Sequence, residues 1–199
     1  MSSNLCYKLT GQKNQTKYDC LWVPGEWNPK GVLSGEGGLC SGGFYHAYDT
    51  PEPLVALFLN PIHGGYQEPV VWKAEWRGKR EDDGVMKFGA TELRLIEKVS
   101  VPSQTTVQRV AFGIFTARAV YQDPTFNDWA DKWLSGEDRS WSAAASVAES
   151  AVLSAAASAE SAAWSAWSAA SAASAAASAE SVGFRLVLAD SAKRAMEVK

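Results

Sequence analysis

The stretch from Trp141 to Val182 constrains this chain more than any other part of it. Its 42 residues comprise twenty Ala, twelve Ser, three Glu, three Trp, three Val and one Leu, with no Gly, Pro, Lys or Arg. Alanine is the best helix former, and nothing here instructs a helix to stop before Gly183. As one unbroken helix the stretch would span about 60 Å at ~1.5 Å per residue. The serines fall at 142, 146, 150, 154, 158, 161, 165, 168, 171, 174, 178 and 181, always three or four apart. Eleven steps cover 39 residues, a mean of about 3.5, which is the repeat of a coiled-coil seam rather than of a straight helix. The octet SAAASAES occurs at 154–161 and at 174–181, with a near copy, SAAASVAES, at 142–150. Repetition of this kind implies a repetitive packing surface.

A stripe of small residues lets helix backbones approach closely. A lone Ala/Ser helix gains little from burial, because an alanine methyl removes scant apolar area from water. It would also leave Val152, Leu153, Trp164 and Trp167 exposed. The segment is therefore expected to pack on its own domain, on a folded-back half of itself, or on another chain. The interaction residues expected are Ser154, Ser158, Ser161, Trp164, Ser165, Trp167 and Ser168. A solvated low-complexity tail is the competing reading of the same composition.

At 199 residues the chain has room for one ample core, or for a domain plus an extension. Its formal net charge of −3 lacks the basic field of a generic nucleic-acid binder. Cys6, Cys20 and Cys40 are odd in number and lack CxxC spacing, so no disulfide framework or zinc knuckle follows. A reducing cytoplasm is the expected setting, with a Cys6–Cys20 pair left open. Residues 1–9 show no basic region followed by an apolar core, so no secretory signal is expected. A membrane span needs about 20 strongly apolar residues, and the one long, weakly charged stretch is interrupted by twelve serines.

Residues 1–102 are rich in Gly, Pro, Trp and Tyr and read as short strands and turns. Val70, Trp72, Ala74 and Trp76 alternate with Lys73 and Glu75, the period-2 signature of a half-buried strand. Glu92 to Leu95 alternate in the same way, and Asp82-Asp83-Gly84 supplies a turn between the two. Leu5 to Leu9 and Gly43 to Tyr48 are weaker strands, and Pro51-Glu52-Pro53 opens a short helix through Leu59. From Ser103 the spacing turns helical, with Val107, Val110, Ala111, Ile114 and Tyr121 on one face. Asp123-Pro124 ends that helix. A second helix, 125–135, carries Phe126, Trp129 and Trp133 and stops at Gly136. After Gly183, Phe184 to Leu188 reads as a strand returning to the sheet, and Asp190 caps a short final helix.

The fold class expected is α+β, with a small mixed or antiparallel sheet domain followed by helices. The segments are 1–102 for the sheet domain, 103–136 for amphipathic helices packed on it, 137–182 for the Ala/Ser region, and 183–199 for the returning strand and helix.

The search for chemistry yields no catalytic residue, cofactor site or metal site to commit to. His46 and His63 each read as structural or surface histidines, although Asp49 or Glu52 could orient His46 as a base. A Cys40/His46/His63 metal set lacks diagnostic spacing. No GxSxG stands between a strand and a helix. Ser34-Gly35-Glu36-Gly37-Gly38 lacks the Lys-Ser/Thr of a phosphate loop and reads as a turn.

Several segments occur in a recognisable order: Tyr7-Lys8-Leu9-Thr10, Gly35-Glu36-Gly37, Gly43-Phe44-Tyr45-His46-Ala47-Tyr48 with Pro51, Leu59-Asn60-Pro61-Ile62-His63, and Lys87-Phe88-Gly89-Ala90. Together they resemble an uncharacterised family of phage and prophage proteins, whose members join such a domain to Ala-rich, Trp-punctuated helical repeats. The resemblance covers most of residues 5–181. It implies a viral or prophage origin and the cytoplasm of a bacterial host. By association with phage accessory proteins, it implies a non-enzymatic inhibitor of host defence machinery, including defence nucleases and anti-CRISPR roles. The expected partner is a host protein, or a second copy through the Ala/Ser helix, with neither membrane nor nucleic acid. A fainter similarity is to ADP-ribosyltransferase-like folds. There Lys8 would stand at the first-strand Arg/His position, Tyr45, His46 and Tyr48 at the middle motif, and Glu92 or Glu97 at the late glutamate. Lys8 is neither Arg nor His, which argues against NAD positioning. A third reading is a structural Ala-rich assembly helix; Ser in place of Thr, and Trp164 and Trp167, argue against a flat ice-contacting face.

Overall fold

The computed structural model describes residues 4–17, 20–39, 41–50, 52–60, 65–82, 86–120, 123–140 and 186–199. The chain divides into two compact units, Met1–Ser103 and Gln104–Lys199. The fold is mixed α and β, as the residue patterns require.

In the first unit, β1 (Leu5–Thr10) is followed by a two-stranded hairpin of β2 (Gln15–Thr16) and β3 (Cys20–Leu21). Then come β4 (Tyr45–Tyr48), helix α1 (Pro53–Phe58), β5 (Val70–Asp82) and β6 (Lys87–Val99). Strands β1, β4, β6 and β5 close, in that order, into an antiparallel barrel. The alternation seen in the sequence sets its inside. Trp72, Ala74, Leu93 and Leu95 are buried in one cluster with Cys6, Tyr45, Ala47 and Phe88, with Trp76 packed against it. Lys73, Glu75, Glu92 and Arg94 alternate onto the other face and are ion-paired there.

Closure comes from β1, which runs beside β5 from Leu5↔Glu75 to Thr10↔Val70. Its contact with β4 is a single register pair, Tyr7↔Tyr48. Both long strands extend well past their alternating stretches, and a bulge hides the continuation. The register shifts between Arg77 and Arg80, where Gly78 takes φ +81°. A Cβ at Gly78 would stand 2.2 Å from Thr91 Oγ1, so the bulge requires glycine.

Helix α1 starts as expected, with Pro53 in its first turn after Glu52. It lays Ala56 and Leu57 on the outer barrel face, against Leu9, Tyr48 and Val71.

The second unit contains α2 (Thr106–Val120), α3 (Pro124–Ser135) and a C-terminal helix, α4, over residues 186–197. Asp123 caps α3 by accepting from the Phe126 amide at 2.9 Å, and Gly136 ends it at φ +84°. Ala111, Phe112 and Ile114 of α2 and Ala130 and Trp133 of α3 are buried. Val110, expected on the buried face of α2, is 39% exposed.

The expected returning strand is corrected. Leu186, Val187 and Leu188 are helical, and Phe184 and Arg185 lie outside the described residues. Leu188, Ala192 and Ala195 are buried at spacings of four and three, the period of a helix, and Ser191 joins them. A short apolar run does not by itself separate strand from buried helix. Asp190 does not cap this helix but lies within it, 3.7 Å from Arg194. Helix α4 lies on α2: Gln108 Nε2 donates to the Met196 carbonyl at 3.0 Å, and Arg194 stands 4.1 Å from the Phe115 ring. Ser154, Ser158, Ser161, Trp164, Ser165, Trp167 and Ser168 lie outside the described residues, as do Cys40, His63 and Tyr121.

Candidate functional site

Two places in the barrel bring unusual side chains together. The first is the interior. Lys8 shares the inward face of β1 with Cys6 and Thr10 and is 8% exposed. Its ammonium donates to the His46 carbonyl at 2.6 Å and stands 5.3 Å above the Trp22 ring. It thereby links β1 to β4 where a single backbone register pair joins them. Burial lowers the lysine to about 8, opposed by the nearby thiols of Cys20 and Cys6. Burial likewise pushes the Cys6 thiol up to about 12. Both Cys6 and Cys20 are free thiols.

Around Lys8 the polar groups are engaged with the fold. Trp72 Nε1 donates to Thr10 Oγ1 at 3.0 Å, and Trp22 Nε1 to Thr16 Oγ1 at 3.1 Å. Tyr45 donates to the Gly31 carbonyl at 2.7 Å and accepts from the Lys30 amide at 3.0 Å. Arg80 lies 4.1 Å from the Phe88 ring and 5.1 Å from Trp76, bonded to Asp82 and Asp49. Those carboxylates, Asp82 first, hold its guanidinium above its ordinary value.

The second place is the outer face of β5 and β6. Three cross-strand ion pairs stand in a ladder of alternating sign: Lys73–Glu97 at 3.4 Å, Glu75–Arg94 at 2.6 Å and Arg77–Glu92 at 2.7 Å. Trp27 lies against this ladder, 4.0 Å from the Arg77 guanidinium and 4.9 Å from that of Arg94. The loop carrying it is tied along β6, with Gly25 donating to the Leu95 carbonyl at 2.8 Å and Asn28 to that of Leu93 at 3.0 Å. Asn28 takes φ +57°, and its side chain accepts from the Leu93 amide and donates to Glu92. The Arg77 hydrogen bond, then that of Asn28, holds the Glu92 carboxyl below its usual range. Aromatic–arginine clusters of this kind are frequent energetic centres of protein interfaces.

The residues of the ADP-ribosyltransferase-like reading do not converge. Lys8 and Tyr45 face the interior, whereas Tyr48 belongs to the outer cluster beneath α1. The His46 imidazole donates from Nε2 to the Leu39 carbonyl. Glu92 and Glu97 are both on the ion-pair ladder. The glycine-rich 34–38 stretch is irregular chain with a bend at Gly37: Gly35 donates to the Gly43 carbonyl at 3.0 Å, and Lys79 Nζ to that of Gly35. Among the described residues no three His, Cys, Asp or Glu side chains stand together as a metal set. Among them, too, no helix is long and apolar enough to cross a membrane.

Sequence reasoning singled out neither Trp27 nor Arg77. The signal available was Arg77 continuing the outward series Lys73, Glu75. Compared with protein-family models, curated proteins and solved structures, the chain matches none.

Proposed function

We propose that the protein is a non-enzymatic binding module that engages another protein through the β5–β6 outer face centred on Trp27. The observation that carries this reading is the Trp27 ring lying against Arg77 and Arg94, each arginine paired with a glutamate. Tryptophan and arginine supply most large binding contributions at interfaces, and side chains ordered beforehand lose less entropy on docking. Because the sequence resembles a family of phage and prophage proteins, the partner proposed is a bacterial host protein, and the outcome proposed, by association with phage accessory proteins, is inhibition of host defence. In support, Lys8, His46, Tyr45 and Glu92 are each bonded to the fold's own groups.

The test is affinity capture from a bacterial host lysate, followed by titration of the captured protein against the full chain. Trp27→Ala and Arg94→Ala should each weaken binding by tenfold or more, on the order of 1.4 kcal/mol or above, with the far-UV spectrum unchanged. Equal affinity of both variants and the parent would overturn the reading.

A further inference from the structure

Asn28 makes a set of bonds beside β6 that only a short side-chain amide can make together. Its backbone N–H donates to the Leu93 carbonyl at 3.0 Å, as a paired strand would. The return bond does not reach its own carbonyl, which accepts from Gly31 at 2.9 Å as the loop turns. The Leu93 amide is met instead by the side-chain Oδ1, at 2.9 Å. This arrangement takes φ +57°, a left-handed conformation that asparagine tolerates better than most residues. The other half of the side chain faces the ion-pair ladder, where Nδ2 donates to Glu92 Oε2 at 3.1 Å.

That same carboxylate oxygen takes both Nε and Nη2 of Arg77, each at 2.7 Å. Arg77 in turn stands 4.0 Å from the ring of Trp27, the neighbour of Asn28 in the chain. Trp27, Arg77, Glu92 and Asn28 therefore close a ring, completed through the backbone. One side of the Asn28 side chain must accept, because it meets an N–H. The other must donate, because it meets a carboxylate. Aspartate has the length but no donor, and glycine has the backbone freedom but neither group. The backbone bond fastens the loop to β6; the amide ties it to the arginine.

We infer that Asn28 is the positioning residue of the Trp27 face: its side-chain amide holds the loop and the Glu92–Arg77 pair in one arrangement, and so fixes the indole before a partner arrives. The inference rests on the reading of that face as the binding surface. A tryptophan ordered in advance loses less freedom on docking, so loss of the amide should weaken binding although Trp27 itself is intact.

The test begins with the purified full chain and no partner. The Arg77 Nε–H signal is followed by NMR, where the Trp27 ring current shifts it; Trp27→Ala marks its position without the ring. Asn28→Asp sets a second carboxylate against Glu92, and like charges there repel. Asn28→Gly keeps the left-handed backbone and removes both side-chain bonds. Each should move the Arg77 signal most of the way to its Trp27→Ala position, with the far-UV spectrum unchanged. Adding Glu92→Gln to Asn28→Asp supplies the donor from the opposite side and should bring the signal back. A signal unmoved in both single variants would overturn the inference, as would a double variant no closer to the parent than Asn28→Asp. Affinity for the captured partner is then compared, and Asn28→Asp should weaken it by about three- to tenfold, with recovery in the double variant. A moved signal with unchanged affinity would support positioning by Asn28 and contradict the binding role of the face, which keeps the two failures apart.

Discussion

In the barrel, the indole of Trp72 donates to Thr10 and that of Trp22 to Thr16, while the Tyr45 hydroxyl both donates and accepts. In the helical unit, the indole of Trp129 is as shielded from water and has no acceptor. Among its described residues the barrel unit has one comparable orphan, Asn14 Oδ1, in the turn before β2 and away from the interior cluster. The difference follows from how each unit is built. The barrel closes on itself, so these interior side chains meet partners from other strands and from the loops beside them. In the second unit the Trp129 indole N–H and the Gln104 side-chain amide are shielded without an acceptor among the described residues.

The largest expected effect tests the helical side of this contrast. Truncation after Gly183 removes α4, and with it the buried Leu188, Ala189, Ser191, Ala192 and Ala195. Burial of Leu188 alone contributes about 1.5–3 kcal/mol, so calorimetry should show the helical transition lost while the barrel transition stays. A barrel that melts earlier, with the helices unaffected, would mean α4 supports the wrong unit. A single core change should act next most strongly, this time on the barrel. Phe88 is fully buried between Trp76 and Arg80, and Phe88→Ala should cost about 3–5 kcal/mol in denaturant unfolding.

A smaller effect comes from charge inside the barrel. The unfolded chain holds the Lys8 proton to an ordinary value of 10.5, whereas the folded chain releases it at about 8. Between those values the unfolded state binds more protons, so this group's stabilising contribution is present above 10.5 and lost as pH falls through 8. Cys6 works the other way. The folded thiol keeps its proton to about 12 while the unfolded one releases it at 9, so that contribution is present below 9 and lost as pH rises through 12. Stability should therefore climb from pH 8, level off between 9 and 10.5 where the two oppose, and fall beyond. Lys8→Met should abolish the climb, which is on the order of 1 kcal/mol, and should leave the protein at pH 7 as stable or more so. A climb that persists in Lys8→Met would assign it elsewhere. The smallest expected effect is none: incubation with NAD should release no nicotinamide above a Glu92→Ala, Glu97→Ala control. The residues such chemistry needs are divided between the inside and outside of the barrel wall.

What the sequence disclosed tracks how local each determinant is. The alternation of Val70 to Trp76 and the Gly136 stop are written within a few residues, and each appears where expected. Barrel closure rests on β1 meeting β5 across 60 to 70 residues, which no local pattern encodes. The far half of β5 was hidden by the Gly78 bulge, which breaks the period-2 alternation. Leu186 to Leu188 misled because three apolar residues fit either period, and the deciding positions, Ala192 and Ala195, look unremarkable as letters. The Trp27 face was the least legible. Trp27 sits in an irregular loop between Pro24 and Pro29, and its arginines arrive on strands far along the chain.

The most direct test sets the barrel face against the Ala/Ser stripe in one titration. The captured partner is titrated into the full-length parent, Trp27→Ala and Ser158→Leu, with folding of each confirmed by its melt. The account predicts that Trp27→Ala weakens binding by about 30-fold, near 2 kcal/mol, while Ser158→Leu binds as the parent does. Loss of binding in Ser158→Leu, with Trp27→Ala unaffected, would move the interface to the Ala/Ser segment and contradict the account.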